Sequence, residues 1–211
     1  MEKEPQPQAS STESQPSDRL FKEKLVLASA SPRRAEILRA VGWPFETLAV
    51  DIDESRHEGE GAVAYVERLA REKAEAGAAR TDAARVVLGA DTVVVVDERI
   101  LGKPLDDEDA RAMLRLLSGR WHEVLTGVAL VTERSEAQTV VAHERTEVRF
   151  ASLTETEIEW YVASREPLDK AGAYAIQGRA ALFIEEIRGD YWNVVGLPVQ
   201  MVYRLAGEMG D

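Results

Sequence analysis

The sequence predicts a mixed α/β domain, and three observations support this fold class. An apolar run at residues 24–29 leads directly into a helix-start pattern, which is the strand–loop–helix unit of parallel α/β folds. Two consecutive β patterns, residues 122–133 and 138–151, predict an antiparallel pair. Helical patterns occur before, between and after these strands, without any fixed-period repeat. Helices and strands are therefore expected to share one core.

The first 22 residues have the composition of a disordered segment. They are rich in Pro, Gln, Ser and Glu and almost free of apolar side chains before Leu20. Such a segment cannot bury enough surface to offset the entropy lost on ordering. We therefore expect a disordered extension over residues 1–22 and one folded domain over residues 23–211.

The folded domain is expected to open with a strand and a helix. Residues 24–29 end in small side chains, as a short buried strand before a loop does. Ser31 is a good N-cap, Pro32 suits the first helical position, and Gly42 suits the position just after the helix. The buried stripe of this helix would consist of Ile37, Leu38 and Val41.

The next segments predict a strand, an acidic loop and a helix. Residues 45–50 alternate as a strand does, and residues 51–55 are mostly acidic. Residues 61–80 have a helical period. The buried face of this helix would carry Val63, Val66, Leu69, Ala70 and Lys73.

A buried strand is predicted to begin at residue 86 and to end in a loop at Gly89–Thr92. A β-hairpin through Asp97–Arg99 follows. Residues 106–120 predict a helix, because acidic side chains fill its first turn and a glycine closes it.

After the antiparallel pair, the C-terminal part predicts two more helices. Thr154–Ser164 begins with a capping box, in which Thr154 is followed by Glu157 three residues later. Residues 171–198 predict strands and loops separated by glycines, and residues 199–207 predict a final helix.

Composition excludes several classes of protein. The chain carries 38 acidic and 26 basic side chains, and its net charge of −12 argues against nucleic acid or a membrane surface as partner. The chain contains no cysteine, which rules out disulfides, thiolate nucleophiles and Cys-ligated zinc. No apolar run reaches the roughly 18 residues of a membrane helix, and the first residues given lack the apolar core expected of a signal peptide. We therefore expect a cytoplasmic protein.

Two short segments could carry chemistry. Ser29, Ser31, Arg33 and Arg34 surround a helix start, where hydroxyls, guanidinium groups and free N–H groups favour a phosphate. A capped surface helix with solvated arginines is an equally consistent interpretation. Asp91, with Thr92 beside it, follows a buried strand and could bind a cation or accept a proton from water. A simple Asx turn at this position is equally consistent.

A third set of polar residues is scattered along the chain. Carboxylates and isolated lysines together suit a magnesium–triphosphate site, although each one alone is more often a solvated charge. The phosphate loop GxxxxGKS/T and the fingerprint GxGxxG are both missing. The three histidines lack metal-ligand spacing and are expected to be surface or structural residues. The scattered set is Asp51, Asp53, Glu54, Lys73, Lys103, Lys170 and Gln177.

Eight segments together resemble the Maf family. In chain order they are LASASPRRAEIL, DIDE, RLAREKA, LGADTVV, LGKP, LSGRWHEVLTG, KAGAYAIQG and GDYWNVVGLP, within residues 24–206. The resemblance implies an inosine-triphosphatase-like fold, with a mixed twisted sheet flanked by helices and two lobes around a cleft. It also implies hydrolysis of nucleoside triphosphates to monophosphate and pyrophosphate, with Mg²⁺ or Mn²⁺, by a protein that is often dimeric.

The resemblance also assigns roles to individual residues. Asp91 matches the proton acceptor. As our own hypothesis of the mechanism, Asp91, Asp53 and Glu54 are the expected metal ligands. The SPRR, GADT and IQG motifs resemble the branch that acts on dTTP and UTP, and a Gln amide suits the O4/N3–H edge of those bases. The alternative is a non-enzymatic regulator of septum formation that binds nucleotides without turnover. The residues matched to substrate binding are Ser29, Ser31, Arg33, Arg34, Lys73, Thr92, Lys103 and Gln177.

Overall fold

The structure, a computed structural model, describes residues 24–81, 85–132 and 137–209. The predicted disordered extension, residues 1–22, lies outside the described residues and stays a prediction. The expected fold class is confirmed, since a mixed sheet carries helices on both of its faces.

Seven strands in the described part of the chain form one sheet, in the order β2-β1-β3-β5-β6-β7, with β4 paired to β3. The pairs β1–β2 and β1–β3 are parallel, and all other pairs in this sheet are antiparallel. The strands are β1 Leu25–Leu27, β2 Phe45–Thr47, β3 Val86–Val96, β4 Arg99–Leu101, β5 Trp121–Thr132, β6 Gln138–Phe150 and β7 Ile184–Arg188.

The helices begin and end where local signals predict. Gly42 has φ +69°, the left-handed conformation that ends the first helix, and the capping box of Thr154 and Glu157 is formed. Asp97 and Glu98 both have positive φ and form the predicted hairpin turn. The helices are α1 Pro32–Ala40, α2 Ala62–Ala78, α3 Asp107–Leu117, α4 Glu155–Ala163, α5 Tyr191–Val195 and α6 Val199–Glu208.

The predicted loop at Gly89–Thr92 is wrong, because β3 runs without interruption and pairs with β5 through this segment. Gly89 is required by the packing of α2 against the strand and not by a turn. A Cβ atom at Gly89 would lie 2.1 Å from the Ala70 carbonyl oxygen of α2, and one at Gly127 would lie 2.2 Å from that of Val66. The glycines therefore mark a close approach of helix to sheet rather than a turn.

Two other predicted segments differ from the structure. The strand expected over residues 45–50 ends at Thr47, where its partner β1 also ends. Residues 171–198, expected to hold strands and loops, contain one strand, two short 3₁₀ turns and the helix α5. Asp190 caps α5 by accepting a hydrogen bond from the Trp192 N–H at 2.7 Å. Such a short helix has too few residues to show a period.

Two apolar clusters lie on one face of the sheet. Side chains alternate along a strand, so Leu88, Thr92 and Val94 of β3 share this face. Leu88 belongs to a cluster with α1 and α6, whereas Val94 belongs to a cluster with α3 and α4. Thr92 lies between them, and Thr126 occupies the same place on β5. The two lobes are therefore two cores with a polar seam between them.

The cleft is a gap in the sheet. β1 pairs with β3 at Val86–Leu88, and β4 pairs with the same edge of β3 at Val94–Val96, because β5 occupies the other edge. Residues 89–93 are left between the two short strands. The Leu88 carbonyl accepts a hydrogen bond from Ala28 of the β1 side, so by alternation the backbone groups at positions 90 and 92 also point into the gap.

Candidate active site

The gap beside β3 opens into a cavity of about 580 Å³ that both lobes line. Of the candidate residues named above, all but Asp51 and Asp53 lie on its wall. They are Ser29, Ser31, Arg33, Arg34, Glu54, Lys73, Asp91, Thr92, Lys103, Lys170 and Gln177.

Arg34 is a buried cation of the site that donates three hydrogen bonds. It lies in the first turn of α1 with only 8% of its surface exposed. Its Nε donates to the Gly196 carbonyl at 2.9 Å, and its Nη atoms donate to Ser29 Oγ and Thr92 Oγ1, each at 3.1 Å. Burial lowers the pKa of Arg34, while the charge of Asp91 opposes that effect. None of the three acceptors is a carboxylate, so these bonds orient the positive charge without neutralising it.

A buried hydrogen-bonded chain continues behind Arg34. Thr92 Oγ1 lies 3.0 Å from Thr126 Oγ1, and Thr126 Oγ1 donates to the Asn193 carbonyl at 3.3 Å. Asn193 Nδ2 donates to the Val124 carbonyl and to Thr146 Oγ1, each at 3.0 Å. The sequence reasoning missed Thr126 and Asn193. The available signal was a polar residue within each of the apolar runs VLTGVAL and NVVG.

Lys73 joins two carboxylates at the other side of the cleft. It reaches from α2, and its Nζ lies 2.7 Å from Asp91 Oδ1 and 2.6 Å from Glu54 Oε1. The Lys73 and Asp91 side chains are 10% and 13% exposed, whereas that of Glu54 is 54% exposed. Burial raises the pKa of Glu54, but the hydrogen bond from Lys73 and the nearby cations outweigh burial and lower it below its ordinary value.

Asp91 is therefore not the residue of an Asx turn, since it lies within β3 and accepts its hydrogen bond from Lys73. Arg34 is likewise not a solvated surface arginine. The Arg33 side chain is 25% exposed, and its Nη1 is 3.4 Å from Asp169 Oδ2. Lys103 and Gln177 are exposed residues of the wall.

Asp53 is not brought to the site. Its Oδ1 accepts from the Ser55 N–H at 2.9 Å, and it does not line the cavity. Within the described residues, no group of three His, Asp or Glu side chains is arranged to hold a metal ion. Glu54 and Asp91 nevertheless converge on Lys73, and Mg²⁺ is typically held by one or two carboxylates together with substrate phosphates. The donor set fits a divalent cation that is shared with a triphosphate.

The three histidines lie away from the cavity wall. His122 is buried, and its Nε2 lies 2.9 Å from the Tyr174 hydroxyl. Burial lowers the pKa of His122 to about 4, so the ring is neutral at pH 7. His143 pairs with Glu67, and His57 is exposed.

A family model described as "Maf-like protein" matches residues 24–209. The chain belongs to the Maf family. Among curated relatives, the dTTP/UTP pyrophosphatase of Symbiobacterium thermophilum is 53% identical over 188 residues, which cover 89% of this chain and 95% of the relative. The dTTP/UTP pyrophosphatase of Bacillus mycoides is 50% identical over 181 residues, which cover 86% of this chain and 93% of the relative.

A solved HAM1 protein from Coxiella burnetii superposes on 88% of the Maf chain and 99% of its own chain, with a TM-score of 0.47 and 18% identity. Among the described residues of the Maf chain, no helix is both long and apolar enough to cross a membrane.

Proposed function

We propose that this protein hydrolyses nucleoside triphosphates, with dTTP and UTP as preferred substrates, to the monophosphate and pyrophosphate. We propose the cytoplasm as its location and a homodimer as its assembly, as the resemblance to the family implies. The observation that carries the proposal is the convergence of Arg34, Lys73 and Lys103 with two carboxylates in one cavity. Cations suit the phosphates, and carboxylates suit a cation and a water molecule. The names of the curated relatives support the same substrates.

The phosphates bind at the start of α1. Arg34 and Ser29 are already hydrogen-bonded to each other, so they present a positive charge and a hydroxyl in a fixed arrangement. Lys103 contributes a second cation from the other lobe. A fixed set of donors needs little reorganisation when charge develops on the phosphate oxygens.

Asp91 is the general base. Lys73 holds one of its oxygens, which leaves the carboxylate oriented beside the cavity. Asp91 accepts the proton of a water molecule whose oxygen forms a bond to the α-phosphorus. The bond from this phosphorus to the bridging oxygen breaks, and pyrophosphate leaves with the electron pair. Asp91 and Glu54 would hold a bound Mg²⁺ or Mn²⁺, which would neutralise part of the phosphate charge.

Base choice rests on the exposed part of the wall. The Gln177 amide can donate to O4 and accept from N3–H of uracil or thymine. Thr92, in the GADT motif that resembles the dTTP/UTP branch, has its hydroxyl hydrogen-bonded to Arg34 and Thr126. Thr92 therefore contributes by holding Arg34.

The test is pyrophosphate release from a panel of nucleoside triphosphates, with and without Mg²⁺. Release that requires Mg²⁺ and is fastest with dTTP and UTP is expected. Tight dTTP binding without any release would instead favour the nucleotide-binding regulator. Fastest release with GTP would contradict the role of Gln177.

A further inference from the structure

The acidic loop, residues 51–60, carries a site residue without regular secondary structure to position it. No helix or strand is present from residue 51 to residue 57, and the Glu54 side chain is 54% exposed. An exposed segment of this kind samples many conformations unless specific contacts hold it. The Glu54 carboxylate is nevertheless placed 2.6 Å from Lys73 Nζ.

Two side chains of α2 hold the loop by consecutive carbonyl groups. The Tyr65 hydroxyl donates to the Glu54 carbonyl at 2.8 Å, and Arg68 Nη2 donates to the Ser55 carbonyl at 3.0 Å. Residues three apart are neighbours on a helix surface. The Arg68 guanidinium also lies 5.6 Å from the centre of the Tyr65 ring. The two side chains therefore hold two adjacent peptide groups of the loop.

Arg68 also holds the far end of the loop. Its Nε and Nη2 donate to the two carboxylate oxygens of Glu60 at 2.7 and 2.9 Å. Only 8% of the Glu60 side chain is exposed, and its hydrogen bonds from Arg68 lower the pKa of Glu60 to about 2. Both Arg68 and Glu60 therefore stay charged near neutral pH. Arg68 Nη1 also pairs with Glu72 of the same helix.

We infer that Arg68 and Tyr65 are positioning residues that set the Glu54 carboxylate against Lys73 and Asp91. The inference rests on the proposed function, because that function gives Glu54 its role. Arg68 does not line the cavity, so it acts through the loop and not on the substrate. Tyr65 does line the cavity, but its hydroxyl donates to the Glu54 carbonyl, which ties it to the loop. A lysine in its place has no planar fork and cannot hold Ser55 and Glu60 at the same time.

A double-mutant cycle tests the inference. Arg68→Ala is expected to lower kcat for dTTP by about 10- to 100-fold, since it removes charge-assisted hydrogen bonds. Tyr65→Phe removes one neutral bond, and a loss of about 2- to 10-fold is expected. In a background of Glu54→Gln, Arg68→Ala should change kcat by less than about twofold, because Glu54 no longer contributes. Equal losses in both backgrounds would overturn the inference.

A second measurement does not depend on turnover. Binding of Mn²⁺ alone, followed by electron paramagnetic resonance without nucleotide, should weaken in both Glu54→Gln and Arg68→Ala. Wild-type affinity in Arg68→Ala beside weakened affinity in Glu54→Gln would contradict positioning through Glu54. If the wild-type protein releases no pyrophosphate from any triphosphate, the proposed function fails while this measurement still tests the positioning.

Matched controls separate positioning from folding. Arg71→Ala removes an exposed arginine from the same helix and should keep the wild-type melting temperature, kcat and Mn²⁺ affinity. Arg68→Lys should retain most of the melting temperature while losing most of the kcat that Arg68→Ala loses. If Arg68→Ala does not fold, Tyr65→Phe in the same cycle with Glu54→Gln carries the test.

Discussion

The two sides of the cleft are held in different ways. Arg34, 8% exposed, has bonds to acceptors from three separate parts of the chain, Ser29, Thr92 and Gly196. Glu54 lies in an exposed loop with 54% of its side chain exposed; its carboxylate pairs with Lys73, and its backbone carbonyl accepts a hydrogen bond from Tyr65. The same cavity therefore combines a buried, preorganised cation with a solvent-exposed anion.

The difference teaches which changes affect stability and which affect only the site. A buried polar group that loses its partner costs the full desolvation penalty, about 1–3 kcal/mol. An exposed ion pair contributes little to stability, because water and salt screen it. Changes at Arg34 should therefore lower both activity and melting temperature, whereas changes at Glu54 itself should lower activity alone.

The largest effect is expected at Asp91, where the two sides meet. Asp91→Asn is close to isosteric but cannot accept a proton at neutral pH, so turnover should fall by at least about 10²- to 10⁴-fold. The fold and dTTP binding should persist. Melting curves, dTTP affinity and pyrophosphate release on one preparation check this. A folded mutant that binds dTTP and keeps turnover within a few-fold of wild type shows that Asp91 is not the base.

Arg34→Ala is expected to lower kcat/KM for dTTP by about 10- to 150-fold, because a charge-assisted contact with phosphate is lost. Its melting temperature should also fall, since the buried acceptors at Gly196 and Thr92 lose a donor. Arg39→Ala, an exposed arginine on the same helix, is the control and should change neither quantity by much. Equal behaviour of the two variants would remove the distinction between the buried and exposed sides.

Buried His122 extends the comparison to pH. Its pKa is about 4 in the folded protein and 6.5 in the ordinary state, because burial disfavours the charged ring. Between pH 6.5 and pH 4, the unfolded chain binds a proton at His122 that the folded protein does not bind. The stability of the fold with a neutral His122 is therefore complete above pH 6.5 and is lost as the pH falls towards 4. The total loss is roughly 3 kcal/mol. Denaturant titrations at several pH values give the free energy of unfolding, which should decrease less steeply with falling pH in His122→Gln than in wild type. The same pH dependence in both proteins contradicts the prediction.

The smallest effect is expected at Thr126. Thr126→Val keeps the shape but removes a buried hydroxyl, so the free energy of unfolding should fall by about 1 kcal/mol. Because Thr92 loses a partner next to Arg34, KM for dTTP should rise several-fold while kcat changes less. Chemical denaturation and steady-state kinetics measure both effects. Thr139→Val at an exposed position of β6 is the control, and a similar KM change there would exclude a role for the seam.

Local signals in the sequence determined the ends of most elements and most of the candidate site. The turn at Gly42, the capping box at Thr154 and the hairpin at Asp97 each depend on a few adjacent residues, so the chain nearby contains all the necessary information. Eleven of the thirteen candidate site residues line the cavity. Most of them lie in short motifs that resemble those of the Maf family, and such motifs can be recognised from the sequence alone.

Only the tertiary structure decided how these motifs are held. Gly89 lies within β3 because α2 packs closely against the strand there. Asp53 accepts a hydrogen bond from Ser55 of its own loop and does not reach the cleft. Arg34 meets the Gly196 carbonyl 162 positions away along the chain. A short sequence window contains no information about such a contact, because the partner is chosen by the packing of the whole sheet. The sequence does not predict the role of Arg68 for the same reason. Its contacts with Ser55 and Glu60, which position the loop that carries Glu54, depend on how the loop packs against α2.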